Sequence, residues 1–416
     1  MRASIWIGLL GAAACGSGTP LEPSGRNDPD EQVTELPPEE PPDPGPTDPS
    51  TTPPEPEPEG CDAGGSPEAL DVCGPGAVAV VDDRPFASLQ EAIDAASDGT
   101  TVWLCPGESN EGVVVQDRIL RIEVALPNFG RLDGDDQRRL FDIVGSDVTL
   151  RGLDIRNGRE SADGGAIRSR MGSRLALECV SIASSGTALA GGALSSRDSE
   201  LIVEDSTFRQ NDAQLGGAVR ITGSTLSRPA RFLRTTFDDN RSSGSGGAIH
   251  IGGNSNDAVL IEDCIFDANE AGNRGGAIAL VGDSSPSITV VGTEFDNNEA
   301  TQSGGAIYVD HEGPADITFQ RCDLEDQEAP IGAAVAVTNQ VPGGTVTFVD
   351  SRIEDNTAGT GNGAIQSDGD VTVVCTNCDL GAGIFDNQPH DVVVQGVPFD
   401  GNEEVDFQLP GESPAP

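Results

Sequence analysis

A pair of adjacent glycines returns along the chain at nearly constant spacing, and no other feature constrains the fold as tightly. The pair stands at Gly164-Gly165, Gly191-Gly192, Gly216-Gly217, Gly246-Gly247, Gly275-Gly276 and Gly304-Gly305, each followed by alanine and an aliphatic residue. Degenerate copies begin at Gly332 and Asn362, and the intervals run from 25 to 30 residues. Eight or nine residues ahead of the glycines lies a second mark: Phe208 with Asn211, Phe237 with Asn240, Phe266 with Asn269 and Phe295 with Asn298. Weaker versions are Leu324 with Gln327 and Ile353 with Asn356. Two marks that keep phase over this many copies define one supersecondary unit, repeated and stacked.

The content of one unit is strands. Seven and five positions before the Phe column, apolar residues recur, as in Leu201 and Val203 or Ile317 and Phe319. The third and fifth positions after the first glycine are apolar too, as in Ile249 and Ile251. Period two means a strand with one buried face, and no part of the repeat carries helical periodicity. Units of this size stack by parallel pairing at ~4.8 Å per coil, so equivalent residues form columns. Phenylalanine then fills the interior and glycine takes the positive-φ corner. The asparagines pass side-chain amide bonds from coil to coil. An all-β solenoid of about ten coils follows, on the order of 50 Å long at that rise.

These paired glycine and Phe-x-x-Asn marks resemble the repeats of polymorphic outer-membrane proteins. The fold they imply is the right-handed parallel β-helix of the pectin-lyase-like superfamily. The resemblance is strong over residues 140–370 and weaker in the flanks. Such relatives usually end in a membrane translocator barrel, whereas here the chain runs into a polar tail at 400–416, expected to be unstructured. The solenoid is assigned to 78–399 and a cysteine-bounded lead-in to 61–77. Ser88 and Glu91 form a capping box that opens a helix with Leu89, Ala92, Ile93 and Ala96 on one face. Laid over the open end of the solenoid, that helix blocks edge-to-edge aggregation. Thr101 to Pro106 is expected to be the first strand.

Residues 1–15 read as an export signal. Arg2 precedes a ten-residue apolar run from Ile5 to Ala14, too short for a span of roughly 20 residues. Ala12-Ala13-Ala14-Cys15 resembles a bacterial lipoprotein signal, which implies that Cys15 carries lipid. Gly16 after it implies retention at the outer membrane. Ordinary secretion with cleavage after Ala14 is the alternative. Residues 16–60, rich in proline and acid, lack the apolar surface to offset ordering entropy and read as an extended disordered tether. The expected location is the surface or the periplasmic face of the outer membrane, or the extracellular space.

The formal charge is −45, from 24 basic and 69 acidic residues, and every basic residue is arginine. Lysine chemistry is therefore excluded. Nucleic acid is set aside as a partner, and contact with membrane is expected only through the lipid. Residues 118–241 hold 18 arginines against 17 acids and are nearly neutral; the segments on either side are strongly acidic.

Directly after the Phe column runs an acidic ladder: Asp238, Asp267, Asp296, Glu325 and Glu354. Carboxylates ~5 Å apart repel by about 1 kcal/mol per pair in water, and bound calcium would relieve that. Side chains splayed into screened solvent are the alternative, and no other cofactor is expected. Cys61, Cys73 and Cys105 suggest a Cys61–Cys73 or Cys73–Cys105 bridge. Cys264, Cys322 and Cys378 share one column as small buried fillers, and Cys375 with Cys378 suggests a local bridge or packing rather than redox work. His250, His311 and His390 are dispersed, and Tyr308 and Trp103 offer no platform for sugar rings. The expected function is a non-catalytic, monomeric, surface-displayed adhesion or structural module with a glycan or protein ligand. A polysaccharide lyase or hydrolase is the alternative. A third reading has the arginine-rich coils gripping anionic glycans.

Overall fold

A turn of the chain is built from four short strands joined by tight bends, or from three in the first two turns. The turn that ends at residue 253 is representative, with strands Ala230–Leu233, Thr236–Asp238, Arg241–Ser245 and Ile249–Gly253. The computed structural model describes residues 61, 65–127, 130–223, 229–253, 258–282, 287–311, 316–338, 343–360, 362–368, 371–381, 387–394, 397–399 and 405–409. Stacking the turns gives four sheets of fourteen, ten, eight and twelve strands, parallel throughout except at their ends. The fold is a right-handed parallel β-solenoid, and its ten-stranded sheet counts ten turns.

Register aligns like with like. Phe208, Phe237, Phe266 and Phe295 pair in sequence on the ten-stranded sheet. Their rings stack at centroid distances of 5.1, 4.7 and 4.9 Å with planes within 8°. All four are fully buried in one continuous core with the aliphatic residues of the other strands. Below the stack, Leu324 and Ile353 continue the column, while Phe319 and Phe348 begin another on the fourteen-stranded sheet.

The asparagine column is a hydrogen-bonded ladder. Asn240 Nδ2 donates to the Phe208 carbonyl (2.9 Å) and to Asn269 Oδ1 (3.0 Å), and Asn240 N donates to the same Oδ1 (3.1 Å). The pattern runs through Asn211, Asn269, Asn298, Gln327 and Asn356. It continues one rung past the sequence expectation, to Asn387, whose Nδ2 donates to Asp391 Oδ1 (3.0 Å). These amides are buried, and the ladder meets most of the polar demand at this corner.

Glycine recurs at one of the three positive-φ corners in a turn, and other residues hold most positions of the other two. Gly216, Gly246, Gly275 and Gly304 take φ of 63–71°. The corner before the asparagine column is held by Gln210, Asp239, Ala268, Asn297, Asp326 and Asp355. The corner entering the ten-stranded sheet is held by Asp205, Arg234, Asp263, Gly292, Arg321 and Asp350. Asn and Asp bear this conformation because their short polar side chains bond locally. Asp239, Asp326 and Asp355 are thus corner residues.

Both ends depart from the sequence reading. The lead-in contains a helix, α1 (Pro67–Val72), capped by Ser66 Oγ, which accepts from Ala69 N. The open edge of the fourteen-stranded sheet is covered by a hairpin, Ala79–Val81 with Arg84–Phe86, which pairs antiparallel with Thr100–Leu104. So the strand expected at Thr101 to Pro106 is not the first. Helix α2 (Leu89–Ala95) forms as expected and buries Leu89, Ala92 and Ile93. Its N-terminus is satisfied chiefly by Glu111, whose carboxylate accepts from Ser88 Oγ (2.6 Å), Leu89 N (2.7 Å) and Gln90 N (3.2 Å). The polar tail, expected to be unstructured, contributes a strand: Val405–Leu409 pairs antiparallel with Val371–Cys378 and closes the fourteen-stranded sheet. Val397–Phe399 closes the twelve-stranded sheet in the same way. An antiparallel closing strand ends the parallel stack, so these edges no longer template a further coil.

Among the described residues there are three disulfides. Cys73 bonds Cys105, and Cys375 bonds Cys378. Cys61 bonds Cys179, 118 residues away, and not Cys73. That correction follows from stacking, which brings the lead-in beside a corner several coils on. Cys378 is therefore no free filler, whereas Cys264 and Cys322 are free and buried. Burial pushes their thiols up to about 12 and about 11, so both stay protonated and unreactive.

Candidate functional site

Cys15, the tether 16–60 and the side chain of His311 lie outside the described residues. Two surfaces remain to be weighed: the acidic ladder on the ten-stranded sheet and the outer face of the twelve-stranded sheet.

The ladder residues pair in register, Asp238 with Asp267, Asp267 with Asp296, Asp296 with Glu325, and Glu325 with Glu354. Both ends are neutralised by arginine. Arg209, one coil earlier in the same column, lies 3.0 Å from Asp238. Arg352 lies 2.5 Å from Glu354 and also pairs with Glu325 and Asp323. Only Asp267 and Asp296 stand between these anchors. Burial, then the fields of Asp267, Asp326 and Glu294, raise the Asp296 carboxyl above the usual carboxylate range. Parallel register holds successive ladder carboxylates one coil apart, side by side on one face. Among the described residues no group of three or more His, Cys, Asp or Glu is placed to hold a metal ion.

The raised Asp296 gives a signed expectation. A carboxyl whose folded pKa exceeds its unfolded value favours folding when protonated, and that contribution is lost as pH rises through the folded value. Asp296→Asn is therefore expected to raise the urea midpoint at pH 7, with the gain shrinking below about pH 4. Urea titrations at the two pH values check this; an equal effect at both would show that charge is not the cause.

The arginines of 118–241 are largely consumed by cross-coil pairs. Arg131 reaches Asp154 (2.9 Å), Arg168 and Arg170 share Asp142 (2.7 and 3.2 Å), Arg197 reaches Asp163 (2.9 Å) and Arg234 reaches Asp205 (2.6 Å). Burial alone would raise the Asp142 carboxyl, but hydrogen bonds from Arg168 and Arg170 outweigh it and hold the group at about 2. The near-neutral charge of this segment is thus a lattice of pairs between rungs and not a broad basic patch. Its signature is one sequence arithmetic cannot read, because pairing depends on which residues fall one coil apart.

The outer face of the twelve-stranded sheet carries the residues that the sequence reading did not assemble. One outward column runs Asp142, Arg168, Ser195, Arg220, His250, Ala279, Tyr308, Ala336 and Gln366. From Ser195 onward every member of this column except Arg220 is nonetheless buried: Ser195, His250, Ala279, Tyr308, Ala336 and Gln366. Tyr308 Oη accepts from Arg274 Nη1 (2.7 Å) and donates to Asp310 Oδ2 (3.1 Å), and the guanidinium lies 4.8 Å from the ring centroid. Burial, foremost, pushes the Tyr308 phenol up to about 12, so it stays a neutral structural donor. The expectation that Tyr308 is no sugar platform agrees with its burial. His250 sits in this column too. His390 begins the strand His390–Val394 at the far end of the same sheet.

Comparison with known families finds one similarity. Residues 234–252 and 292–310 match the Chlamydia polymorphic membrane protein repeat. Each match contains one Phe-x-x-Asn mark and the Gly-Gly-Ala-Ile that follows it, the residues that build the stack, the ladder and the corner. The matches cover two repeats and not the chain as a whole. Searches of curated proteins and of solved structures found no match.

Proposed function

We propose that this chain is a surface-displayed β-solenoid that acts as an adhesion or structural module without catalysis, held to the outer membrane by lipid on Cys15. The observation that carries the reading is the way the surface side chains are spent. The arginines and the ladder carboxylates at both ends are tied into pairs between coils, and the outward tyrosine is locked under Arg274. Such a surface stiffens the solenoid and presents a regular face, which is what a spacer or docking module needs. The similarity of two repeats to a membrane-protein repeat supports a surface context, as does the export-signal pattern ahead of a proline-rich tether.

The test is fractionation with protease treatment of intact cells. Wild type is expected in the membrane fraction and trimmed by added protease, while Cys15→Ser is expected in the soluble fraction with the solenoid intact. Membrane retention of Cys15→Ser, or full protection from protease, would refute the anchored surface reading. Release of unsaturated or reducing ends from acidic polysaccharide by the purified chain would refute the non-catalytic part.

A further inference from the structure

The outer face of the twelve-stranded sheet holds one charged group whose hydrogen bonds the protein leaves unmade. Arg220 lies on Val219–Gly223, between Ser195 on the coil before and His250 on the coil after. Its Nε and Nη1 are buried and have no acceptor. The carboxylate whose field reaches it, Asp163, already pairs with Arg197 at 2.9 Å. Burial is the largest influence on the Arg220 guanidinium and lowers its pKa, with Asp163 and Arg197 acting in opposite directions. A guanidinium remains charged throughout the physiological range all the same. An ion so placed, with donors left over, forgoes charge-assisted hydrogen bonds that elsewhere contribute about 1.5–3 kcal/mol each.

The backbone beside it makes room for the guanidinium. Gly252, outward on the next coil, is a glycine where a Cβ would lie 3.2 Å from Arg220 Nη2 and 2.9 Å from His250 Cε1. The guanidinium and the imidazole thus converge over a residue that has no side chain. Arg168, Arg170 and Arg197 stand on the neighbouring coils of the same face, each already paired, so positive charge is in excess locally in a chain that is strongly acidic overall. An anion that offers two oxygens side by side, as a carboxylate or a sulfate does, is the partner that matches a guanidinium fork.

We propose that Arg220, over Gly252, is a binding site for an oxyanion group, a carboxylate or sulfate, carried by an acidic glycan. The proposal deepens the adhesion reading above and rests on it for the glycan as source. It narrows the arginine-rich surface of the sequence reading to one guanidinium.

The experiment is calorimetric titration of the full chain with a galacturonate oligomer, sodium sulfate and a neutral glucan oligomer. The expected result is saturable binding of the uronate oligomer, competition by sulfate, and no binding of the glucan. Arg220→Gln is expected to weaken uronate binding at least about tenfold, which corresponds to about 1.4 kcal/mol. Arg231→Gln, at an exposed arginine on the fourteen-stranded sheet, is expected to leave it unchanged. Arg220→Met keeps the buried stem and removes the charge, so it is expected to fold with undiminished stability and to lose binding. Unchanged uronate binding in folded Arg220→Met overturns the site, and sulfate binding without uronate binding overturns the glycan as its source. Membrane anchoring and protease accessibility do not depend on Arg220, so the failure of this site and of the surface reading are read separately.

Discussion

Gly276→Ala is expected to cost at least about 4 kcal/mol, or to prevent folding, although it adds a single methyl group. A Cβ at Gly276 would lie 2.1 Å from the carbonyl oxygen of Gly305 and 2.6 Å from both the amide nitrogen and the oxygen of Glu299. All three are backbone atoms of the next coil, so nothing flexible can yield and the two coils must separate. The same contact recurs at Gly217, Gly247 and Gly192, each with a neighbouring carbonyl oxygen within 2.2 Å. This second glycine of the pair is required by close approach. The first is required by conformation, with φ +65° at Gly275. The chain supplies its own comparison at Ala333, which occupies the second-glycine column. There the ladder shifts: Ala248 N and Ala277 N donate to Ala277 O and Ala306 O, but Ala306 N donates to Ala333 O at 3.2 Å. Gly74→Ala is the control, with no positive φ and only one atom within 4 Å, at 3.9 Å; its effect should stay within about 0.5 kcal/mol. Urea unfolding of both variants, with hydrogen exchange around Gly275 and Gly305, makes the comparison. A loss below about 1 kcal/mol at Gly276 would refute close approach as the reason for the paired glycines.

What could be read from the sequence was whatever repeats in columns. Phe237, Asn240 and Gly246 recur at one interval, so their stacking, ladder and corner follow from parallel pairing alone. Features that depend on which residue lies one coil away were out of reach until the register was known. Arg197 and Asp163 are 34 residues apart, and nothing in either neighbourhood marks them as a pair. Cys61 and Cys179 meet only because the lead-in runs beside a corner of a later coil. The corners at Asp239 and Ala268 escaped because polar residues and alanine, and not glycine, take the positive φ there. Asn387 escaped because the last coil lengthens the interval from Asn356 to 31 residues. Arg220 was visible as one arginine among 18 in its segment; only geometry separates it from the others, which mostly found acceptors.

Asn269→Ala is expected to be the costliest polar truncation, because the site is a link in a chain of buried amides. Asn269 is fully buried. Its Oδ1 accepts from Asn240 N (3.1 Å) and Asn240 Nδ2 (3.0 Å), and its Nδ2 donates to the Phe237 carbonyl and to Asn298 Oδ1, both at 2.9 Å. Removing the amide strands the Asn240 backbone N–H and one Nδ2 hydrogen of Asn240 beneath the phenylalanine stack, while the Phe237 carbonyl keeps its place in the parallel ladder with the next coil. At about 1–3 kcal/mol for each buried group left unsatisfied, the loss should reach about 3–4 kcal/mol. The effect should be local, since a solenoid coil contacts chiefly its neighbours; exchange should accelerate around residues 237–270 before the chain ends respond. Asn269→Asp separates hydrogen bonding from packing. The carboxylate keeps an acceptor for Asn240 but loses both donors, and burial among amide and carbonyl oxygens raises its folded pKa above the unfolded value of about 3.9. Protonation restores one donor, so this variant should be least stable at neutral pH and recover as pH falls toward about 4, the opposite of ordinary acid unfolding. Urea midpoints at pH 7 and pH 4.5 decide the matter: a pH-independent loss equal to that of Asn269→Ala would mean that volume, and not the relay of donors and acceptors, is what the column supplies.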